Sequence, residues 1–290
     1  MRIRGIHLGP LAVLLTFAGV LAAPATAQAA TSWTTLDFPG ATATYANGIN
    51  SSGTIVGDYV NSNGTADGFL FRHGTYTTLA MPGASSTVPL AISSRGEIVG
   101  SYLLPSGHQY GFVFSHGTYT TVNVSGSQFT NADGVNSRGD IVGIYALTKG
   151  AFLGFVLSNG TYTTLAFPNA IKTIGVGINS WGAVVGSYWT TLSDVSGYLF
   201  SNGTYTTLAV PGAAGTVPMS INSRGVVVGT YYNPSSIFNY GFVFRNGTYT
   251  TLNFPGATDT QLNAINNRGD IVGAYEVNGV AHGFVLTHTP

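Results

Sequence analysis

A proton-transfer site in this chain would have to be assembled from Asp133, His108 and His282. A carboxylate and an imidazole can share acid and base roles when they lie within hydrogen-bond reach of one another. Asp133 is a single carboxylate, however, where glycoside hydrolysis by the common route uses two. Other chemistry has no foothold. There is no G-x-S-x-G elbow, no H-E-x-x-H and no cysteine. His73, His108, His116, His282 and His288 show no metal-ligand spacing, and "NSNGTAD" (61–67) lacks the acidic ligands and closing glutamate of a calcium loop. Neither a metal nor a cofactor is expected.

Two other groups of residues suit binding. Variable segments between conserved-looking strands carry His108, Tyr110, Trp189, Phe238, Tyr240 and His282. Aromatic rings beside amides and hydroxyls can recognise a sugar or a peptide, because a ring covers C–H surface while polar neighbours fix orientation. The same rings can also simply pack over strand edges. The second group is Asn47, Asp133 and Asn263, which stand at repeated positions held elsewhere by Leu90, Val176 and Met219. A polar cluster on one side of a channel would suit a ligand pocket; drift in a solvated channel would give the same pattern.

What must position these residues is a repeat. The glycine closing each Val-Gly pair falls at Gly57, Gly100, Gly143, Gly186, Gly229 and Gly273, a period of 43 residues with one step of 44. The aromatic before each Thr-Thr falls at Trp33, Tyr76, Tyr119, Tyr162, Tyr205 and Tyr249 with the same steps. Each copy holds β-branched runs such as "TIVGDY", then "GFLF", then "TYTTL", with a fourth strand ending near Ile-Asn. Asn-Gly or His-Gly between the last two runs is a two-residue hairpin turn, which needs positive φ at both places. Four short antiparallel strands per 43 residues predict an all-β fold, a six-bladed β-propeller of four-stranded blades. The chain opens on "WTTL" and closes on "HGFVL", so pairing of Trp33–Leu36 with Gly283–Leu286 would close the ring from the two ends. The loops between second and third strands, which hold most of the candidate aromatics, would then gather on one face.

The first 29 residues are set apart from this domain. Arg2 and Arg4, an apolar run from Leu8 to Ala22 and the exit Ala27-Gln28-Ala29 read as a signal peptide, leaving 30–290 as one exported domain. Without the two arginines the balance is slightly acidic, so no basic field exists for nucleic acid or anionic lipid. The strands are too short and too glycine-punctuated for insertion into a membrane as a barrel. Charged residues make up 7% of the chain, against about 25% in ordinary domains, so Ser, Thr, Asn, Gly and Tyr must cover the surface.

The units "GINSSGTIVGDY" and "GFLFRHGTYTTL" resemble the HAF family of bacterial extracellular repeats across the whole domain. That resemblance implies an exported repeat protein and carries no defined reaction. The His-small-aromatic triplet of the name is matched only at His282-Gly283-Phe284. Two functional classes stay open: a secreted, monomeric module binding a glycan or protein partner, or an extracellular lyase or hydrolase at the channel mouth.

Overall fold

The computed structural model describes residues 31–147, 152–234 and 236–288; the segment read as a signal peptide lies outside them. The described chain is all-β. It begins with β1 (Thr31–Leu36) and continues as a recurring four-strand pattern. The first unit is β2 (Ala43–Ile49), β3 (Ile55–Val60), β4 (Ala66–Arg72) and β5 (Thr75–Leu79). The second is β6 (Ser86–Ile92), β7 (Ile98–Leu103), β8 (Gln109–Ser115) and β9 (Thr118–Val122). The third is β10 (Phe129–Val135), β11 (Ile141–Ala146), β12 (Phe152–Ser158) and β13 (Thr161–Leu165). The fourth is β14 (Lys172–Ile178), β15 (Val184–Trp189), β16 (Val195–Ser201) and β17 (Thr204–Leu208). The fifth is β18 (Gly215–Ile221), β19 (Val227–Tyr232), β20 (Tyr240–Arg245) and β21 (Thr248–Thr251). The sixth has only β22 (Asp259–Ile265), β23 (Ile271–Val277) and β24 (Val280–His288) from the C-terminal side. Its fourth strand is β1, which pairs antiparallel with β24 in the register Trp33 to Leu286 and Leu36 to Gly283.

Counted by hydrogen bonding, the sheets number four rather than the expected six. Three have four strands and one has twelve, and they do not join into a closed ring of ladders. The large sheet merges the second, third and fourth units through one parallel residue pair at each junction, Phe129 with Gln109 and Thr173 with Leu153. Neighbouring units thus approach closely enough at these two edges for a backbone bridge, which the sequence period does not encode.

Each unit is built for face-to-face packing. The third strand buries one large ring: Phe69, Phe112, Phe155, Tyr198, Phe242 or Phe284. Ile and Val from the second strand fill the space towards the next unit. The glycine of each Val-Gly pair lets strands cross closely; a Cβ at Gly57 would collide with the Tyr45 carbonyl and the Phe69 ring. The hairpin residues His73, His116, Asn159, Asn202 and Asn246 all adopt φ near +50°, as their turn requires.

Two devices organise the inner strands. In every unit the ladder between first and second strands slips by one residue, and the extra residue is Asn47, Leu90, Asp133, Val176, Met219 or Asn263. Such a bulge re-aims the extra side chain. The second device is a relay of buried asparagines at the strand ends. Asn50, Asn136, Asn179, Asn222 and Asn266 each donate from Nδ2 to the backbone carbonyl of the equivalent residue one unit on, at 3.1–3.4 Å. Ser93 holds the sixth position and turns instead to Glu97. The last donor in the relay, Asn266, reaches Asn50, so the inner strands of all six units surround one axis.

Candidate channel site

The bulge residues line a chamber of about 290 Å³ on that axis. Its wall is Tyr45, Asn47, Asp58, Val88, Leu90, Asp133, Val176, Met219, Gln261 and Asn263. Beyond it lie two smaller cavities of about 90 and 80 Å³, both bounded by a collar of Ile49, Ile92, Val135, Ile178, Ile221 and Ile265. The collar is apolar and β-branched throughout, so the chamber has a greasy floor. Asp133 sits at the boundary and lines both the chamber and the cavity below it.

The chamber wall is two-sided in chemistry. Polar groups come from the first and sixth units and from Asp133, while Val88, Leu90, Val176 and Met219 form an apolar arc. Asn47 donates from Nδ2 to Asp58 Oδ1 at 2.7 Å and to the Pro89 carbonyl at 3.0 Å. Both amide hydrogens are thereby used, which leaves its carbonyl oxygen as the group it can offer a ligand. Asn263 makes the equivalent inter-unit bond to the Ala46 carbonyl at 3.1 Å. Asp133 Oδ2 is cut off from solvent and has no hydrogen-bond partner among the described residues.

Both carboxyls hold their protons unusually well. Burial pushes Asp133 up to about 7, only partly opposed by a hydrogen bond from the Asn131 side chain. Burial also raises Asp58 to about 6, against the opposing hydrogen bonds from Asn47 and from its own backbone. The Tyr45 hydroxyl is raised as well, by burial first and then by the nearby Asp58 and Glu276 charges. The site therefore holds acidic groups that can donate when protonated and accept when ionised, and its lining carries no basic side chain. Among the described residues no three metal-ligating side chains come together.

Asn47, Asp133 and Asn263, read from the sequence as channel wall, share this chamber. Asp58 was not anticipated. It lies directly opposite Tyr45 in the β2–β3 ladder, so the two side chains share a face. The signal was present: at the position before tyrosine in each "VGxY" run stand Asp58, Ser101, Ile144, Ser187, Thr230 and Ala274, and only one is charged.

The loop aromatics are not gathered. Tyr110 packs on Tyr102 with His108 stacked beyond it, and His108 Nδ1 lies 3.2 Å from Ser106 Oγ. Trp189 lies under the Lys172 ammonium at 4.2 Å, which Phe152 also faces. Tyr240 packs on Tyr231, and Phe238 is exposed beside it in the chain. Each ring serves its own unit. His282 meets a carboxylate, with Nδ1 3.0 Å from Asp37 Oδ1, but that pair borders a separate cavity of about 250 Å³. Neither histidine lines the chamber, so the expected arrangement of Asp133 with His108 or His282 for a lyase or hydrolase is not assembled.

No family model matches the chain, and no curated protein matches it in sequence. Its shape has clear counterparts. The lectin AAL of Aleuria aurantia, in complex with Fucα1-6GlcNAc, superposes with a TM-score of 0.51 at 14% identity, covering 86% of this chain and 96% of that one. AofleA from Arthrobotrys oligospora gives 0.56 at 11% identity, over 89% and 87% of the two chains. TolB from Acinetobacter baumannii gives 0.58 at 12% identity, over 81% of this chain and 64% of that one. At such identities the likeness speaks to the fold, a propeller-type arrangement of antiparallel sheets.

Proposed function

We propose that the protein is an exported carbohydrate-binding module whose channel chamber takes a neutral sugar. The observation that carries this reading is the unpartnered Asp133 Oδ2 in a chamber whose other polar groups are side-chain amides, a carboxyl and a phenol. Sugar hydroxyls both donate and accept, and a carboxyl whose folded value lies near 7 can meet them as acid or as carboxylate, with charge-assisted bonds in the ionised form. The arc of Leu90, Val176 and Met219 suits the C–H face of a pyranose. A chamber of about 290 Å³ suits one sugar residue rather than a long chain. The fold likeness to a lectin that binds a fucoside supports the same class of partner.

The six repeats, the β1–β24 pairing and the asparagine relay support a propeller of six units counted by strand pattern. The repeat motifs support a place among HAF-type extracellular repeats, and the basic, apolar, small-residue start supports export. N-terminal sequencing of protein recovered from culture medium tests the export reading; an unprocessed Met1 would reject it.

Calorimetric titration with a panel of neutral monosaccharides tests the binding reading. At least one sugar binds the wild type, and Asp133→Asn weakens it at least tenfold, whereas Trp189→Ala leaves it unchanged. Equal affinity in wild type and Asp133→Asn would remove the chamber from consideration.

A further inference from the structure

The loop that enters each unit lays one side chain against the tyrosine of that unit's second strand. In three units this side chain is phenylalanine, flat on its partner: Phe38 on Tyr59, Phe167 on Tyr188 and Phe254 on Tyr275. All three pairs have centroids 3.6 Å apart and planes within 4° of parallel. In the fifth unit Val210 holds the position, opposite Tyr231. A cavity of about 490 Å³ opens there, bounded by Val210, Pro211, Tyr231, Asn233, Thr248 and Tyr249 among others.

The chain itself indicates what fits such a slot. Three times over, it fills the equivalent place with a six-membered ring stacked in parallel. Tyr231 is held ready for the same contact. Its hydroxyl is 2.9 Å from Thr251 Oγ1, and the Tyr240 ring supports it at 5.4 Å. The corresponding tyrosine of the sixth unit, Tyr275, has both neighbours, His282 and Phe254. Valine alone does not make the slot polar. The third unit also carries valine, Val124, but Leu147 stands there where the fifth unit has Asn233. The threonine hydroxyls and the Asn233 amide add donors and acceptors around the slot, and no charged side chain lines it.

We propose that this slot is a second binding site, for an uncharged six-membered ring bearing hydroxyl groups, stacked on Tyr231 where other units place phenylalanine. The apolar face of a hexopyranose and a phenolic ring share this chemistry, since either can lie on a tyrosine while its hydroxyls reach Asn233 and the threonines. The site does not include any chamber residue, so it stands or falls separately from the channel reading.

The test is Val210→Phe, which plugs the slot with the residue the chain uses in its first, fourth and sixth units. Saturation-transfer NMR and calorimetry against methyl hexopyranosides and against resorcinol would compare wild type, Val210→Phe, Asn233→Ala and Asp133→Asn. At least one probe binds the wild type saturably, binds Val210→Phe at least tenfold more weakly and binds Asn233→Ala several-fold more weakly. The same losses appear when Val210→Phe and Asn233→Ala are made in the Asp133→Asn background, where the chamber is disabled, which tells the two sites apart. A sugar-only or resorcinol-only response supports the site and identifies the ring class. Absence of binding by every probe overturns the proposal, as does survival of every probe's affinity when Val210→Phe is made in the Asp133→Asn background. Should Val210→Phe melt below the wild type, Asn233→Ala decides alone, and unchanged affinity there is equally fatal.

Discussion

Asn266 donates its side-chain amide to the Asn50 carbonyl, 3.1 Å away, across the junction between the last unit and the first. The same side chain accepts from the backbone N–H groups of Arg268, Gly269 and Asp270 at 2.9–3.0 Å. One buried amide thus shapes its own turn and ties it to the neighbouring unit.

Replacing it should be costly. Asn266→Ala strands buried donors and an acceptor, each at about 1–3 kcal/mol, so a loss of about 3 kcal/mol is expected in urea unfolding. The converse substitution fills a gap. Ser93→Asn supplies the missing relay donor and should raise stability by about 1 kcal/mol in the same assay.

Tyr198 is the one tyrosine among the six rings buried in the third strands, and its hydroxyl has no partner among the described residues. Burial drives its ionisation far above the ordinary tyrosine range. Tyr198→Phe removes a desolvated hydroxyl while keeping the ring that the other five units use. A gain of about 1–2 kcal/mol is expected, read as a higher thermal midpoint.

Stability should fall as pH rises from 4 to 8. Asp58 and Asp133 have folded-state values near 6 and 7, above the ordinary 3.8, so the folded chain binds their protons more tightly than the unfolded chain does. Their contribution is fullest below about pH 4 and is lost as pH climbs through the folded values. Asp140, held below the ordinary range by partners that include Ser158, Asn136 and Arg138, changes stability only at lower pH. Thermal midpoints across this range should decline for wild type and flatten in the Asp58→Asn, Asp133→Asn double variant. A flat wild-type profile would show that these carboxyls are better hydrated than the chamber implies.

Gly143 lies where a Cβ would strike the Asn131 carbonyl. Gly143→Ala should therefore destabilise by at least about 2 kcal/mol, despite alanine's small size. A thermal midpoint equal to wild type would mean that the third unit can widen its first ladder freely.

Much of this architecture could be read from spacing. The period of the Val-Gly pairs located every unit, and the stray "WTTL" and "HGFVL" segments pair in the register their repeats imply. Asn47, Asp133 and Asn263 could be placed on one wall because they share a position in the repeat. Asp58 escaped because its place depends on a cross-strand partner, Tyr45, rather than on strand position alone. The merging of three units into one sheet rests on two single-residue bridges at edges, which a repeat period does not specify. The aromatic loops misled for a different reason. Composition shows rings such as Tyr110, Trp189 and Tyr240, but not that each already has a neighbour in Tyr102, Lys172 or Tyr231.

The pairing of β1 with β24 also sets how the molecule answers a pull. Thr31 lies opposite His288 at one end of that ladder and Leu36 opposite Gly283 at the other, so both outer chain ends emerge together. Force applied to them opens the ladder like a zipper, loading one hydrogen-bonded pair at a time instead of all at once. Once that ladder parts, the Trp33 ring leaves Phe254 and Phe284 uncovered.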